Sequence, residues 1–376
     1  MRRSLVLLLA ALTLTAGSLL AQQDPHMATA LRVLSSTPLI DGHNDLPWAI
    51  RRSQVAPHDV EADAHDLRGR TPFHTDIERL RAGRVGGQFW SVYTPFGSTE
   101  EGAAKVQLEQ IDIALQIIAK YPDVFELALD ASDVRRIFAS GKIASMLGME
   151  GGHAIENSLG ALRAFYRMGV RYMTLTHNGT LDWADAANGE QLHGGLTTFG
   201  EEVVREMNRM GMLVDLSHTA PTTMNDALDV ATAPVIWSHA AARGLWDHPR
   251  NVPDQVLRRL PDNGGVVMVT FVPSFVSEGD EATIAEVADH IDHIANLAGV
   301  DHVGIGSDFD GISSTPVGLE DVSTFPALFA ELSRRGWSEE DLAKLAGENL
   351  LRVMNEAETI ARRLQRERAP SMATIR

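Results

Sequence analysis

His43 and Asp45 are the first side chains in the sequence whose types and spacing could bind a metal ion. One residue separates them, so on an extended chain both side chains point to the same face. An imidazole nitrogen and a carboxylate oxygen presented together can reach one divalent cation. The pair is equally compatible with a turn that the Asp caps, so its interpretation depends on other candidates along the chain.

Three further candidates stand where apolar segments end. Glu150 follows the run 143–147, and a carboxylate buried there must be ion-paired or metal-bound. Its two oxygens could bridge two ions. His218 and His239 each end an apolar segment that finishes in Ser-His. They are separated by about the length of one β/α unit, so the two imidazoles are expected to be neighbours.

The residue types limit which metal this set could hold. The chain has no Cys and 14 His, so thiolate zinc sites, Fe–S clusters, disulfides and a Cys nucleophile are excluded. The donors that remain are imidazole nitrogens and carboxylate oxygens. This donor set favours zinc, with Mn and Fe as alternatives.

Three other polar residues could act on a substrate. Asp308, in the segment 304–311, could serve as general base and then as general acid beside a metal-activated water. His177 could polarise a substrate carbonyl or add a metal ligand. Arg250 could pair with a substrate carboxylate through two parallel hydrogen bonds. The simpler interpretation of Asp308 is a loop Asp that caps a turn, although Asp310 fits that role better. The simpler interpretation of Arg250 is a solvated loop residue.

Short β-branched runs, each followed by loop residues and a helical pattern, predict eight strands that would position these groups. The predicted strands are 38–42, 87–93, 142–149, 170–176, 212–216, 234–237, 265–271 and 302–306. Helical spacing of apolar residues occurs at 158–168, 197–210, 224–230, 284–297 and 339–352. The alternation predicts a parallel sheet, and eight repeats predict an α/β fold of the (β/α)8 TIM-barrel type.

The candidate residues follow the predicted strands, which is where barrel enzymes place their catalytic groups. A doubly wound open sheet is the alternative fold, but no G-x-G-x-x-G follows the first predicted strand. The segment 47–86 is expected to be a long insertion after that strand. The net charge of −17 argues against a nucleic-acid partner, because a basic surface is needed to bind phosphates.

The ends of the chain differ from the rest in composition. Residues 1–21 combine Arg2 and Arg3 with an apolar run that ends near Ala21, which predicts a secretory signal peptide. An uncleaved membrane anchor is the alternative. The expectation is an exported protein, periplasmic or secreted, with one barrel domain over 22–365 and a polar tail over 366–376. No membrane contact is expected beyond the signal segment.

The motifs together resemble a known family. Segments 41–47, 148–153, 175–178, 215–218, 238–239, 250–253 and 306–311 are similar to the membrane dipeptidase (renal dipeptidase) family, peptidase family M19, which is amidohydrolase-like. The resemblance extends over about 38–355. It implies a (β/α)8 barrel that binds two zinc ions, hydrolyses dipeptides and forms a homodimer. Unlike the animal members, this chain has no Cys for disulfides and no C-terminal lipid-anchor signal.

The resemblance also implies a role for each candidate residue. One zinc would bind His43 and Asp45, the second would bind His218 and His239, and Glu150 would bridge them. The remaining roles are assigned in the same way: His177 to the substrate and the tetrahedral intermediate, Arg250 to the dipeptide carboxylate, and Asp308 to proton transfer.

Three alternative functions differ in how they account for these residues. A related binuclear metal amidohydrolase acting on N-acyl amino acids or β-lactam-like amides would use the same residues. A retaining glycosidase could use Glu150 and Asp308, but it would leave the His cluster unexplained. A non-catalytic exported binding protein on the same barrel predicts that at least one ligand position has become apolar, and none has.

Overall fold

The computed structural model describes residues 24–97, 102–278 and 281–375. The predicted signal peptide, 1–21, lies outside these residues. Nine strands occur in the described chain, and every pairing between them is parallel. They are β1 (Leu39–Asn44), β2 (Val85–Tyr93), β3 (Phe125–Leu127), β4 (Ile143–Glu150), β5 (Val170–Thr174), β6 (Leu213–Asp215), β7 (Ile236–Ala240), β8 (Val266–Val269) and β9 (Val303–Ile305).

Eight of the strands close into a barrel. The order is β1-β2-β4-β5-β6-β7-β8-β9, and β9 returns to β1 through the pair Asp41 and Ile305. This closure confirms the predicted TIM barrel and makes the open-sheet alternative wrong. Each of the eight predicted strands overlaps one of the barrel strands. The strands are buried on both faces, as expected of a parallel sheet covered by helices.

The short strand β3 was not predicted. It pairs with Ile143, Ala144 and Ser145 at the start of β4, whereas β5 pairs with β4 from Leu147 onward. The three residues Phe-Glu-Leu carry no β-branched run or alternation that would separate them from a loop. The extra strand therefore depends on a free edge at the base of the barrel, which the sequence does not reveal.

The helices surround the barrel. They are α1 (Pro25–Ser36), α2 (Leu46–Arg51), α3 (Ile77–Ala82), α4 (Ala103–Lys120), α5 (Ala131–Ala139), α6 (Leu159–Arg167), α7 (Thr198–Met210), α8 (Pro221–Val230), α9 (Asp254–Leu257), α10 (Leu260–Asn263), α11 (Pro273–Val276), α12 (Ile284–Ala298), α13 (Phe325–Arg334), α14 (Glu339–Ala343) and α15 (Asn349–Glu367). A π-helical segment, Lys344–Glu348, joins α14 to α15. No helix in the described ranges is both long and apolar enough to cross a membrane.

Four predicted helices are confirmed as α6, α7, α8 and α12, with ends that shift by up to three residues. Their starts follow from local chemistry: the side chain of Thr283 caps α12 in a capping box with Glu286, and Ser158 caps α6. The predicted helix 339–352 is the beginning of a longer helical run that continues to Glu367. Its length exceeds the prediction because the amphipathic pattern persists beyond Arg352.

Two segments outside the repeats are attached to the barrel by polar contacts. The insertion after β1 is tied to the loop after β9, because the backbone N–H of His74 donates to Asp310 at 2.6 Å. Beyond α15, the chain lies against α7, where the hydroxyl of Ser371 donates to Glu202 at 2.9 Å and Arg163 donates to the Ser371 carbonyl at 3.0 Å. The polar tail thus contacts the domain through Ser371.

Candidate active site

A cavity of about 310 Å³ opens at the carboxyl ends of the barrel strands. Its polar lining includes most of the residues predicted from sequence: Asp45, Glu150, His177, His218, Arg250 and Asp308. Its apolar lining comes from Trp48, Tyr93, Val272, Phe275 and Ile312. His43 and His239 lie immediately behind this surface and are fully buried. The barrel therefore brings all eight predicted site residues together.

Glu150 lies at the centre of this group. Its Oε2 is 3.5 Å from His43 Nε2, and its Oε1 is 3.0 Å from His218 Nε2 and 3.5 Å from His239 Nε2. On the first side, His43 Nε2 is also 3.2 Å from Asp45 Oδ2. The two oxygens of Glu150 thus face two different sets of donors, which is the arrangement that a bridging carboxylate requires.

The donor atoms fit a pair of divalent cations. Three overlapping groups of His, Asp and Glu have ligand atoms within 4.8 Å of one another, and Glu150 belongs to two of them. The Nε2 atoms of His218 and His239 are 3.0 Å apart, which suits two imidazoles at Zn–N distances of about 2.0–2.1 Å. Among the described residues, the buried atoms His43 Nε2 and Asp45 Oδ1 make no hydrogen bond. These nitrogen and oxygen donors, without sulfur, suit a divalent cation.

Burial and neighbouring charges shift the pKa values in this group. Burial lowers the pKa of His218 and of His239 well below the usual range, so both imidazoles are neutral and present a lone pair. Burial also raises the pKa of Asp308 well above its usual range, and the carboxylates of Asp45 and Glu150 add to that effect. At His43, burial disfavours the charged form, but Tyr172, Glu150 and Asp45 raise the pKa well above its usual range.

Arg250 is buried, although a loop Arg is usually solvated. It is 2 % exposed, and its guanidinium lies 5.2 Å from the centre of the Phe275 ring. Burial lowers its pKa to about 10, so it stays charged at neutral pH. Within the described part of the chain, its Nη1 has no hydrogen-bond partner. A buried cation with an unused N–H donor at a cavity wall is suited to bind an anionic group.

The loop conformation places Asp308 and His218 in the cavity. Both have positive φ values, 69° and 66°, in the left-handed region that non-glycine residues seldom adopt. The backbone N–H of Asp308 donates to the His43 carbonyl at 3.0 Å, which fixes this loop against β1. Strained backbone at two candidate residues is typical of a functional site.

His177 stacks against His218, with ring centres 4.3 Å apart, and its Nε2 is 3.7 Å from Glu150 Oε1. It is therefore beside the second donor set but farther from the shared carboxylate than His218 is. Both interpretations from the sequence, substrate contact and additional ligand, remain compatible with this position.

Sequence reasoning missed Tyr172, which orients His43. Its hydroxyl is 2.8 Å from His43 Nδ1 and donates to the Gly42 carbonyl at 3.2 Å. Gly148 makes room for it, because a Cβ at that position would lie 2.0 Å from the Tyr172 ring. Alternation along the predicted strand 170–176 puts Tyr172 on the same face as Thr174 and Thr176, and this was the available signal. The partner residue depends on the register between strands.

Comparisons with known proteins identify the family of this chain. The family model described as membrane dipeptidase (peptidase family M19) matches residues 27–368. The curated protein "Dipeptidase verJ" of Clonostachys rogersoniana is 44% identical over 359 residues, covering 93% of this chain and 91% of that protein.

Two solved structures share the fold and part of the sequence. The structure of the dipeptidase AC, a metallopeptidase of family M19, aligns with a TM-score of 0.77 and 28% identity over 85% of this chain and 98% of that chain. A metallopeptidase from Rhodobacter sphaeroides, liganded with a phosphinate mimic of the dipeptide L-Ala-D-Ala, aligns with a TM-score of 0.77 and 26% identity over 85% and 99%.

The barrel and its cluster of imidazoles and carboxylates define a metal-dependent hydrolase of the amidohydrolase type. The chain belongs to the membrane dipeptidase family, peptidase family M19, and is an enzyme of the metallo-dipeptidase class.

Proposed function

We propose that this enzyme hydrolyses the single peptide bond of dipeptides with two zinc ions. The observation that carries the proposal is the buried guanidinium of Arg250, whose free N–H lines the same cavity as Glu150 and the His cluster. A dipeptide presents a free carboxylate one residue away from its only scissile bond. A buried guanidinium beside a metal site matches that pattern, because the guanidinium can bind the carboxylate while the metal site faces the scissile bond.

The residues that would hold the two ions form two sets, which share Glu150. His43 and Asp45 would bind the first ion, His218 and His239 would bind the second, and Glu150 would bridge them through its two oxygens. When bound, the metal pair supplies a water that is nucleophilic near neutral pH and a Lewis acid for the scissile carbonyl.

The chain's own groups would bind the substrate and move protons. Arg250 would hold the C-terminal carboxylate through a charge-assisted hydrogen bond in a site where burial makes that bond strong. Asp308, which lines the cavity within 4.8 Å of the ligand atoms of His43 and Asp45, would accept a proton from the attacking water and return it to the leaving amine. His177 would stabilise the negative charge that develops on the carbonyl oxygen.

The cavity would set the length of the substrate. Its volume of about 310 Å³ lies at the lower end of small-molecule pockets, roughly 300–1,000 Å³. Trp48 and Tyr93 pack edge to face with ring centres 4.9 Å apart and form one apolar wall. A site of this size, in which the Arg250 guanidinium binds the substrate carboxylate, would accept two residues and exclude longer peptides.

We also propose export to the periplasm or the medium, based on the signal-peptide pattern of residues 1–21, and a homodimer, based on the family. A related amidohydrolase acting on N-acyl amino acids or β-lactam-like amides is the second candidate, because such substrates offer the same carboxylate and amide. A non-catalytic binding protein would keep the cavity but turn over none of these compounds.

Metal analysis combined with a small substrate panel tests the proposal. The panel contains an L,L-dipeptide, an L,D-dipeptide, a tripeptide and an N-acetyl amino acid, each assayed with and without a chelator. The Rhodobacter sphaeroides relative motivates the L,D pair. The expected result is two zinc ions per chain, hydrolysis of dipeptides but not of the tripeptide, and loss of activity with chelator that zinc restores. Preferential hydrolysis of the N-acetyl compound, or no hydrolysis by the metal-loaded protein, would contradict it.

A further inference from the structure

Asp215, at the end of β6, is a buried carboxylate that accepts four hydrogen bonds. Its Oδ1 accepts from the backbone N–H groups of Ser217 and Ser238, at 3.0 and 2.8 Å. Its Oδ2 accepts from the hydroxyls of Thr174 and Ser238, at 2.5 and 2.6 Å. Both the backbone and the side chain of Ser238 are thus bonded to one carboxylate on the neighbouring strand.

Asp41, in β1, has the same arrangement on another side of the barrel. Its Oδ1 accepts from the backbone N–H groups of His43 and Ser307, at 3.3 and 2.8 Å. Its Oδ2 accepts from Gln88 Nε2 at 3.0 Å and from the Ser307 hydroxyl at 2.7 Å. In each case the serine directly precedes a site residue, which is His239 after Ser238 and Asp308 after Ser307.

The two arrangements differ in one respect. The Ser238 oxygen also lies 2.9 Å from Nδ1 of His239, whereas the Ser307 hydroxyl makes no hydrogen bond to an imidazole ring in the described part of the chain. Because the Ser238 proton is donated to Asp215, the Ser238 oxygen must accept from Nδ1–H of His239. The other nitrogen, Nε2, then carries a lone pair, and it faces Glu150 Oε1 at 3.5 Å and His218 Nε2 at 3.0 Å.

We propose that Asp215 and Ser238 are positioning residues that hold His239 in the Nδ1–H form, with Nε2 ready to bind a metal ion. This inference rests on the proposed function, because it assigns His239 to the second metal ion. Partners of this kind fix the orientation and tautomer of a metal-binding imidazole, and their loss costs roughly 10–100-fold in metal affinity.

Asp215→Asn is an informative variant because it would reverse the direction of this hydrogen-bond chain. The two backbone N–H groups at Oδ1 cannot become acceptors, so the amide oxygen must take that place. The amide nitrogen then faces Ser238 and donates to its oxygen. The Ser238 hydroxyl would donate to His239 Nδ1 at 2.9 Å instead, because its other neighbour, the Ser217 hydroxyl, is farther away at 3.4 Å. This moves the imidazole proton to Nε2, where it blocks metal binding.

Asp41→Asn is the matched control. It replaces a carboxylate of the same burial with the same amide, and two backbone N–H groups again hold the oxygen at Oδ1. At Oδ2 the Ser307 hydroxyl can reverse as the Ser238 hydroxyl does, whereas the Gln88 amide must turn over because its nitrogen cannot accept. His43 takes its tautomer from Tyr172 and not from Asp41. Any general cost of losing a buried strand contact is therefore shared by both variants, and the effect on an imidazole proton belongs to Asp215→Asn alone.

The experiment compares the wild-type chain with Ser238→Ala, Asp215→Asn and Asp41→Asn. Zn²⁺ affinity is measured by competition with a chelating dye, and the thermal midpoint of each metal-free protein is recorded. In metal-free protein labelled with ¹⁵N-histidine, two-bond ¹H–¹⁵N correlations report the tautomer of His239, which a His239→Gln spectrum identifies. For one of two ions, we expect about 10–100-fold weaker binding in Ser238→Ala and at least that loss in Asp215→Asn. Asp41→Asn should stay within about threefold of wild type.

The NMR outcome separates positioning from a structural effect. The wild-type protein should show His239 as Nδ1–H, and Asp215→Asn should show Nε2–H. An unchanged His239 tautomer in Asp215→Asn, or an equal loss of affinity in Asp41→Asn, would overturn the inference. If Asp215→Asn does not fold, Ser238→Ala decides alone, and wild-type Zn²⁺ affinity in that variant overturns it. Failure of the proposed function is a different result, in which the wild-type chain itself binds no zinc or cleaves no dipeptide.

Discussion

Replacing Arg250 with Met tests the substrate-binding assignment most directly. Arg250 is 2 % exposed, and its Nη1 has no partner in the described residues. The substitution keeps an unbranched apolar side chain of similar reach while removing the charge and its donors. In the free enzyme, little stability should be lost, because a buried cation without a full set of partners is costly.

The expected effect on catalysis follows from the burial of the charge. Removing one partner of a buried, hydrogen-bonded charge pair costs about 2–5 kcal/mol. At about 1.36 kcal/mol for each factor of ten, this corresponds to a roughly 30-fold to 5,000-fold fall in kcat/KM for a dipeptide. An exposed ion pair would be worth roughly 0.2–1 kcal/mol, which is less than about sixfold.

The assay compares L-Ala-L-Ala with its C-terminal amide, which has no carboxylate. The wild-type enzyme should prefer the acid by the factor above, and Arg250→Met should hydrolyse the two compounds at similar rates. The exposed Arg258 provides the control, since Arg258→Met should keep the wild-type preference. If Arg250→Met cleaves the dipeptide within about threefold of wild type, or lowers the rate on the amide just as much, Arg250 does not bind the carboxylate.

Three further substitutions address other parts of the site. Asp308→Asn removes the proton acceptor and should lower kcat by about 10²–10⁴-fold with zinc content unchanged; near wild-type kcat would exclude this role. Tyr172→Phe leaves His43 Nδ1 without its 2.8 Å partner and should weaken binding of one zinc ion by about 10–100-fold in a competition titration; unchanged affinity would contradict that. Gly148→Ala places a Cβ 2.0 Å from the buried Tyr172 ring and should cost about 1–3 kcal/mol of the free energy of unfolding in a denaturant titration, whereas an unchanged midpoint would refute the predicted clash.

Some parts of the fold could be predicted because they depend on local patterns. Apolar runs such as that before Glu150, and the Ser-His endings at His218 and His239, indicate strands that stop at polar groups. In a (β/α)8 barrel, the carboxyl ends of all strands lie at the same end of the barrel. The sequence therefore predicts that these polar residues lie close together once eight strands are recognised. The helices α6, α7, α8 and α12 were predicted for a similar reason, since their apolar spacing and capping residues are local.

Other features required contacts between distant parts of the chain. Strand β3 exists because the start of β4 has a free edge there. The pairing of Tyr172 with His43 joins residues 129 positions apart and depends on barrel register and on the missing side chain at Gly148. The burial of Arg250, which decides whether it is a solvated loop residue or an anion site, comes from the packing of its loop against Phe275.

The sequence by itself determined the types of donor and the order in which they appear, because strand and helix periodicity are properties of neighbouring residues. Only the tertiary structure decided which donors face each oxygen of Glu150, and which nitrogen of His239 carries the proton. Those distinctions rest on contacts of about 3 Å or less between residues of different strands and their loops, such as His218 with Glu150 and Ser238 with Asp215, and they are fixed when the barrel closes and sets the register of its strands.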